Sequence, residues 1–275
     1  KKNNLFLAIR GKKNDGNQFI SQAIKKGASL VISSKTGKRY NDKILKVTDE
    51  MSFLKKFASL KRVNCNAKII AITGSAGKTS LKNLLKELLQ VFGDTYASPK
   101  SFNNHFGVPI SLSNLNINHE FGIFEMGMSK AGEISKLSGM IKPNLGIITN
   151  IGEAHIENFK NIRDIAKAKG EIIDNIEING TIILNRDDRF YNYLNKKAKL
   201  RKIDVITFGK SNKANIHLVN VKTSGQIKKA TIKINNEIIK LKIKDINIYN
   251  VLCSLAVLKK FNLNLKKIIW GFGVL

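Results

Sequence analysis

Residues 68–80 read KIIAITGSAGKTS. An apolar run from Ile69 to Ile72 ends at a glycine-rich turn, and leucines recur at helical spacing after it, at positions 81, 84, 85, 88 and 89. The turn therefore lies at the N-terminus of a helix, where free backbone N–H groups and the helix dipole favour an anion. This pattern predicts a phosphate-binding loop between a buried strand and an amphipathic helix.

The residue types within the loop suit the binding of a nucleotide. Gly74 and Gly77 permit the tight, partly left-handed backbone that such a loop needs. Lys78 offers a point charge to the β- and γ-phosphates, and Thr79 offers a hydroxyl to Mg²⁺. The general motif G-x-x-x-x-G-K-[ST] would place a glycine at position 72, where this chain has isoleucine. The strand before the loop and the helix after it supply the context that a chance GKT sequence would lack.

The length and composition predict two domains. The chain has 275 residues, of which 43% are hydrophobic, and this content is sufficient for buried cores. A chain of this length exceeds the usual size of one domain. A break at residues 63–66, VNCN, precedes the phosphate loop. We therefore predict an N-terminal domain over residues 1–63 and a central nucleotide-binding domain over residues 64–275.

The charge is strongly positive, since 48 Lys and Arg residues face 20 Asp and Glu residues and give a formal net charge of +28. One interpretation is an anionic partner, either a nucleic acid or a substrate with several phosphates and carboxylates. The other is a lysine-rich composition spread over solvated faces. The scattered lysines and the aromatic content of only 7% favour the second interpretation, because nucleic-acid binders usually concentrate charge and interleave aromatic residues. We expect no nucleic-acid partner.

The cysteines and apolar runs predict a cytoplasmic protein. Cys65 and Cys253 lie far apart beside apolar segments, which is typical of buried, reduced thiols. No apolar run is long enough to span a bilayer, and the sequence shows no signal peptide before its first predicted strand. We expect no membrane insertion.

Alternation of strands and helices predicts the fold class. The first 63 residues indicate a small α/β domain, with strands at 5–9, 29–33 and 44–47 and helices at 17–27 and 51–62. From residue 68 onward the alternation predicts a mostly parallel sheet flanked by helices. Period-2 patterns at 214–243 indicate antiparallel strands, and 247–261 indicates a helix. The remaining predicted strands are 120–127, 145–150, 180–185 and 203–209, with helices near 130–140 and 161–176.

Polar residues follow several of these strands. Glu125 ends one strand, Thr149 and Asn150 end the next, and His155 comes shortly afterwards. Because ligands of open α/β sheets bind beyond the carboxyl ends of the strands, we expect these residues near Thr79. A carboxylate and an imidazole at that edge predict a site for a divalent metal and a phosphate. Taken singly, Glu125 also fits a solvated strand end and His155 a surface loop.

Several linked motifs resemble those of the Mur ligases, a family of ATP-dependent enzymes that form amide bonds in peptidoglycan precursors. The phosphate loop of that family has the form T-G-x-x-G-K-T, which residues 73–79 reproduce. The resemblance covers nearly the whole chain, in the order LFLAIRGKKNDGNQFISQAIKKGASLVI (5–32), NNHFGVPISL (103–112), FEMGMSKAGEI (124–134), PNLGIITNIGEAHIENF (143–159), IAKAKGEII (165–173) and LNRDD (184–188).

The resemblance implies a reaction and its participants. The motifs are most similar to those of the family member that joins D-alanyl-D-alanine to UDP-N-acetylmuramoyl-tripeptide, with ATP and Mg²⁺ as cofactors. ATP would phosphorylate the terminal carboxylate of the tripeptide, and the amine of the dipeptide would attack the acyl phosphate. Lys78 would hold the β- and γ-phosphates, Thr79 and Glu125 one Mg²⁺, and His155 a second. We expect a monomer.

Further roles follow from the resemblance alone. Lys169 lies where related ligases carry a carbamylated lysine, which would supply two hard oxygens to a metal, although it also fits an ordinary surface lysine. The implied nucleotide-binding residues are Thr73, Gly74, Ser75, Ala76, Gly77, Lys78, Thr79, Ser80, Asn247 and Asn250, the two asparagines at the adenine ring or as helix caps. The implied substrate-binding residues are Asn14, Asp15, Gly16, Asn103 and Asn104, and the first three also form a turn sequence that needs no ligand.

The family's first domain usually opens with a segment that we do not find here, and its third domain would follow residue 275. We therefore expect a part of a longer ligase that binds nucleotide but forms no amide by itself. Alternatives are another ligase of this kind, such as folylpolyglutamate synthase, and a nucleotide-binding module without turnover. The charge alone suggests a third alternative, an NTPase stimulated by nucleic acid.

Overall fold

The structure is a computed structural model and describes residues 2–11, 14–35 and 41–267. The chain divides into two compact units, Lys1–Leu60 and Lys61–Leu275. The parts of the two predicted domains that fall on residue 1, on the two short gaps and on residues 268–275 lie outside the described residues.

The first unit is a small three-stranded parallel sheet in the order β1-β2-β3. Its strands are β1 (Leu5–Leu7), β2 (Leu30–Ser33) and β3 (Ile44–Lys46). A 3₁₀ turn over Gly16–Phe19 leads into helix α1 (Ile20–Lys25), and α2 (Glu50–Val63) follows the sheet. The predicted helix at 17–27 is thus shorter and begins with a tighter turn than its pattern indicated.

The second unit is built on a nine-stranded sheet in the order β12-β11-β10-β9-β8-β7-β4-β6-β5. All pairs from β5 to β10 are parallel, and β10, β11 and β12 form an antiparallel ribbon at one edge. The predicted fold class, a mostly parallel sheet flanked by helices, is confirmed. The strands are β4 (Lys68–Thr73), β5 (Thr95–Ala97), β6 (Phe121–Glu125), β7 (Leu145–Ile148), β8 (Thr181–Asn185), β9 (Asp204–Gly209), β10 (Ile216–Ser224), β11 (Ile227–Ile234) and β12 (Glu237–Lys244).

Helices cover both faces of this sheet. They are α3 (Lys78–Leu89), α4 (Gly107–Ser113), α5 (Glu133–Ile141), α6 (Ile162–Gly170), α7 (Tyr191–Leu200) and α8 (Ile248–Lys260). The leucines of α3 and the apolar side chains of α8 share one core cluster with Ile70 and Ile72 of β4. The neighbouring side chains of each strand point to the other face, because strand side chains alternate. There, the glycine at 146 leaves room for Ile172 and Ile176, since a Cβ would lie 2.8 Å from Ile176.

The chain changes direction at β4, which lies between β6 and β7. From β4 it builds β5 and β6 on one side and then crosses to β7, β8 and β9 on the other. Such a reversal leaves a crevice beyond the carboxyl ends of the central strands, because the connections on either side leave in opposite directions. This crevice is where the loop after β4 lies.

Among the α-helices and strands of the described residues, three have no counterpart in the sequence analysis: β5, α4 and α7. Strand β5 is only three residues long. Helix α4 contains a glycine and a proline, both poor helix formers, and α7 buries only Tyr191, Leu194 and Ala198. Their local patterns are weak, and packing on the sheet decides their structure. Within the described residues, no helix has the length and apolar character that crossing a bilayer requires.

Candidate active site

The phosphate loop connects β4 to α3 and lies between the carboxyl ends of β6 and β7. Gly77 adopts a left-handed conformation, with a φ of 81°, at the residue that precedes α3. Gly74 has a φ of 146°, and a Cβ there would lie only 1.9 Å from Thr149 Oγ1. The backbone at Gly74 therefore approaches the end of β7 more closely than any side chain allows.

Hydrogen bonds from the segment after β7 hold the loop open. Thr149 Oγ1 donates to the carbonyl of Ala76 at 2.7 Å, and the amide of Ala76 donates to Asn150 Oδ1 at 2.9 Å. The amide of Ser75 donates to the carbonyl of Asn150 at 3.0 Å, and the Ser75 hydroxyl contacts the backbone of Gly152. The amides at the start of α3 have no partner within the helix, as in every helix first turn, so they are free for an anion.

Lys78 folds back over the loop, where its ammonium donates to the carbonyl of Gly74 at 2.8 Å. Burial lowers the pKa of Lys78, and the charge of Glu125 opposes that effect. Behind the loop, the hydroxyl of Thr73 is buried and has no hydrogen-bond partner among the described residues.

Glu125, at the end of β6, is the central carboxylate of the site and is only 1% exposed. Thr79 Oγ1 donates to its Oε2 at 2.9 Å, and Asn103 Nδ2 donates to its Oε1 at 2.9 Å. The ammonium of Lys82 lies 3.6 Å from the same Oε2. Strand β6, helix α3 and the segment before α4 thus meet at one carboxylate.

Lys82 is absent from the sequence analysis, although its position carried a signal. It is 1% exposed and lies on α3 among buried leucines. A lysine within the apolar stripe of an amphipathic helix is unusual, since lysine is almost never fully buried unless it is paired. Its partner, however, comes from another strand and is not visible in the helix alone.

Lys169 lies in the last turn of α6 and is 2% exposed. Burial, together with the smaller effect of the nearby positive charge of Lys78, lowers the pKa of its amine to about 7. No described residue forms a hydrogen bond or an ion pair with this amine. The structure therefore shows a buried lysine beside the phosphate loop, and the alternative of an ordinary surface lysine does not describe its environment.

His155 is not brought together with Thr79 and Glu125 by any hydrogen bond or ion pair. It has a left-handed backbone with a φ of 64°, its side chain is half exposed, and its Nδ1 lies 3.8 Å from a Glu157 carboxylate oxygen. In the described ranges, no cluster of three or more His, Cys, Asp or Glu side chains is arranged to hold a metal ion. At this edge of the sheet, the hydroxyl of Thr79 and the carboxylate of Glu125 form a hydrogen-bonded pair of hard oxygen ligands.

The two asparagines of the 247–250 segment lie beside the loop. Asn247 caps α8, because its Oδ1 accepts the amide of Tyr249 at 2.8 Å. Asn250 is buried next to Gly77, where a Cβ would lie 3.2 Å from Asn250 Oδ1. Both asparagines line a cavity of about 200 Å³ together with Ala76, Asn185 and Phe208. A second cavity, of about 420 Å³, is lined by Ser80, Asn83, Glu87 and Asp245.

The residues predicted to bind the substrate have local structural roles. In the first unit, Asp15 Oδ1 accepts hydrogen bonds from the side chain of Asn17 and from its backbone amide, and these two bonds lower the pKa of Asp15. A Cβ at Gly16 would lie 2.7 Å from the backbone of Ala8 and Ile9, and the carbonyl of Asn14 accepts the amide of Gly11. In the second unit, Asn104 Oδ1 accepts the amide of Gly107 at 2.9 Å, at the start of α4.

The comparisons with known proteins all lead to the same protein family. The model of the Mur ligase middle domain matches residues 72–258, and that of the Mur ligase family, catalytic domain, matches residues 1–62. The chain is 41% identical over 245 residues to the UDP-N-acetylmuramoyl-tripeptide–D-alanyl-D-alanine ligase of Rickettsia prowazekii, covering 88% of this chain and 54% of that protein. The chain spans about half the length of the curated relatives it matches.

Solved structures lead to the same family. MurF from Acinetobacter baumannii superposes with a TM-score of 0.88 at 25% identity, over 99% of this chain and 60% of that one. MurF from Thermotoga maritima in complex with ADP gives a TM-score of 0.84 at 26% identity, over 100% and 64%. Because the middle-domain match alone spans more than half of the residues, the chain belongs to the Mur ligase family.

Proposed function

We propose that this chain carries the ATP site of a ligase that joins D-alanyl-D-alanine to UDP-N-acetylmuramoyl-tripeptide. The arrangement that supports the proposal best is the phosphate loop with Lys78, next to the buried Glu125 that accepts the hydroxyl proton of Thr79 at 2.9 Å. The curated relatives carry the name of this activity, at up to 41% identity. The Thermotoga maritima relative was solved with ADP.

The chemistry needs two steps. A carboxylate is a poor acyl donor at neutral pH, so one of its oxygens first attacks the γ-phosphorus of ATP and ADP leaves. The amine of the dipeptide then attacks the acyl carbon, loses a proton and expels inorganic phosphate. Both steps concentrate negative charge on phosphate oxygens, and fixed cations and N–H donors stabilise that charge.

Lys78 and the amides at the start of α3 supply these donors. In the structure the Lys78 ammonium donates a hydrogen bond to the carbonyl of Gly74. We infer that the ammonium turns to the β- and γ-phosphates when nucleotide binds. Asn247 and Asn250 line the cavity beside Gly77, and we assign the adenine ring to this cavity. An amide side chain suits adenine because it both donates and accepts.

We assign one Mg²⁺ to Thr79 and Glu125. The fit rests on the donor types, since a hydroxyl and a carboxylate are hard oxygen ligands, and the Thr79 hydroxyl donates its proton to Glu125 while its lone pairs stay available. When bound, the ion would neutralise charge on the transferred phosphate. For a second ion we retain His155, in the loop after β7, and its half-exposed imidazole would have to turn toward the phosphates.

Lys169 suits carbamylation because an amine with a pKa of about 7 is partly neutral at physiological pH. The neutral nitrogen would attack carbon dioxide, forming a C–N bond and releasing one proton, and the product is an anion with two hard oxygens. The change would place a negative charge beside Lys78 instead of a positive one. This would remove the repulsion that now contributes to the lowered pKa of Lys169.

For the UDP-substrate we retain Asn14, Asp15 and Gly16 in the first unit, and Asn103 and Asn104 in the second, as proposed contacts. The side chain of Asn14 is exposed, as is that of Asn104. Asn103 is half-buried and donates to Glu125, so its contact with substrate would lie beside the metal ligand.

The test is ATP-dependent product formation by the protein as its gene encodes it. With UDP-N-acetylmuramoyl-tripeptide, D-alanyl-D-alanine and Mg²⁺, mass spectrometry should detect the amide product in equal amount to the ADP released. Omitting ATP should abolish the product. L-Glutamate offered with a folate acceptor is the matched alternative, and amide formed only with that pair would reject the proposed substrates.

A further inference from the structure

Lys82 is among the largest fully buried side chains of the described residues, and this side chain ends in an ionisable amine. Burial lowers the pKa of its amine, and the charge of Glu125 opposes that effect. Taking an ammonium group out of water is costly unless the group is paired and hydrogen-bonded. A lysine kept at such a position is expected to have specific partners.

The first partner is Glu125. The Lys82 ammonium lies 3.6 Å from Oε2, the oxygen that also accepts the proton of Thr79. Lys82 and Thr79 are one helical turn apart on α3, so their side chains lie on the same face of the helix. The carboxylate of Glu125 is thus held against Thr79 by a cation on the same helix.

The second partner is the carbonyl of Lys100, which accepts a hydrogen bond from the Lys82 ammonium. Lys100 has a left-handed backbone with a φ of 47°, which is unfavourable for a residue other than glycine. It lies three positions before Asn103, whose amide donates to the other carboxylate oxygen of Glu125. Lys82 therefore contacts both Glu125 and the segment that delivers Asn103 to Glu125.

We propose that Lys82 is a positioning residue that fixes the Glu125 carboxylate and the Lys100–Asn104 segment, so that the metal ligands are in place before nucleotide binds. This inference rests on the proposed function, because it takes Glu125 as a metal ligand. Lys82 itself is buried and engaged with protein atoms, so it acts through Glu125.

The test uses the 275-residue chain and calorimetry with a non-hydrolysable ATP analogue, titrated with and without Mg²⁺. Lys82→Met should raise the Mg²⁺ concentration needed for tight nucleotide binding by about tenfold or more, as loss of a residue behind a metal ligand commonly does. Binding without Mg²⁺ should change little. Lys86→Met, which removes an exposed charge from the same helix, is the control and should behave like the wild type.

A double-mutant cycle separates positioning from general stability. Glu125→Gln should by itself raise the Mg²⁺ concentration needed for nucleotide binding. Adding Lys82→Met to Glu125→Gln should raise that concentration little further, because residues in direct contact couple. The free energy of unfolding supplies a readout without nucleotide. The double variant lacks both charges, so its loss of stability should be smaller than the sum of the losses in the two single variants. Lys82→Gln keeps a donor for the Lys100 carbonyl and serves if Lys82→Met does not fold.

The outcomes are distinct. Wild-type Mg²⁺ dependence in the Lys82 variants, with a clear effect of Glu125→Gln, would overturn the positioning role and leave the proposed function intact. Fully additive effects in the double variant would also overturn it. If Glu125→Gln leaves the Mg²⁺ dependence unchanged, the metal assignment to Glu125 fails, and this inference fails with it.

Discussion

Gly74 and Thr149 are in such close contact that a methyl group at residue 74 would lie 1.9 Å from Thr149 Oγ1. The same hydroxyl donates to the carbonyl of Ala76 at 2.7 Å. The end of β7 therefore shapes the phosphate loop directly, and the missing side chain at position 74 is what permits the contact. The early glycine of the general motif is absent, and Gly74 performs a steric function within the loop.

The first prediction concerns this contact. Gly74→Ala should destabilise the protein and abolish nucleotide binding, because the new methyl group must displace Thr149 and because φ is 146°. Gly132→Ala is the control, since Gly132 has a φ of 83° and nothing lies within 4 Å of a Cβ there. The control should lose only the roughly 1–2 kcal/mol of a left-handed backbone. Urea unfolding measures the stability of both variants, and equal losses of stability in the two would show that the Thr149 contact has no steric cost.

A second prediction concerns the charge of Lys78. Lys78→Ala should weaken binding of a non-hydrolysable ATP analogue by about 10- to 100-fold, since hydrogen bonds to charged groups contribute about 1.5–3 kcal/mol. Lys86→Ala removes the same charge from an exposed position on the same helix. Calorimetry with the two variants separates a local contact from the general attraction of a basic protein for phosphate. Equal weakening in both would contradict the assignment of Lys78 to the phosphates.

The sequence was sufficient for the fold class because strong periodicity marks its long elements. The continuous apolar run of β4 and the helically spaced leucines of α3 predicted the central strand and helix, and both are present. Strand β5 and helix α7 were missed because β5 is too short for a period and α7 has few buried positions. Their structure depends on neighbours that are distant in sequence, and a local pattern does not contain that information.

The candidate site shows the same division. The position of Glu125 at the carboxyl end of a predicted strand indicated that it would share an edge of the sheet with Thr79, and a hydrogen bond joins the two residues. The sequence analysis did not identify Lys82, because its partners Glu125 and Lys100 lie outside helix α3. It also grouped His155 with Glu125, although the histidine side chain is half exposed and lies near Glu157. The conformation of the loops determines such contacts, and loops have no periodic sequence pattern from which their conformation could be predicted.

A third prediction separates His155 from Glu125. Glu125→Gln should raise the Mg²⁺ concentration needed for binding of the ATP analogue, and His155→Ala should do so as well if the imidazole turns inward to a second ion. Glu120→Gln, just before the same strand at its opposite end, is the matched charge control. Thermal unfolding should show little loss for His155→Ala because the side chain is exposed. A Mg²⁺ titration of His155→Ala that matches the wild type would remove His155 from the metal site.

The fourth prediction concerns stability and pH. The amine of Lys169 has a pKa of about 7 in the folded protein, against 10.5 for a free lysine. Between these values the unfolded chain holds a proton that the folded chain lacks, so this group makes stability rise with pH across that window. Below pH 7 the amine is protonated in the folded chain as well, so the full destabilisation by the buried charge is present. Lys169→Met should therefore be more stable than the wild type near pH 7, and its advantage should shrink toward pH 10. Urea unfolding in CO₂-free buffer measures this, and an advantage independent of pH would contradict it.

The last prediction concerns the reactivity of the same amine. A neutral, buried nitrogen attacks carbon dioxide, whereas a protonated lysine does not, so Lys169 should form a carbamate in ¹³C-bicarbonate at about pH 7 to 8. A carbamate carbon signal should appear in the ¹³C spectrum of the wild type and disappear in Lys169→Met. Lys167→Met is the control, because Lys167 lies on the same helix, is exposed and pairs with Asp164 at 2.9 Å. Adding an ATP analogue with Mg²⁺ should strengthen the signal if the carbamate helps to hold the metal, by linkage between the two binding events. A signal that persists in Lys169→Met, or is lost in Lys167→Met, would place the modification elsewhere.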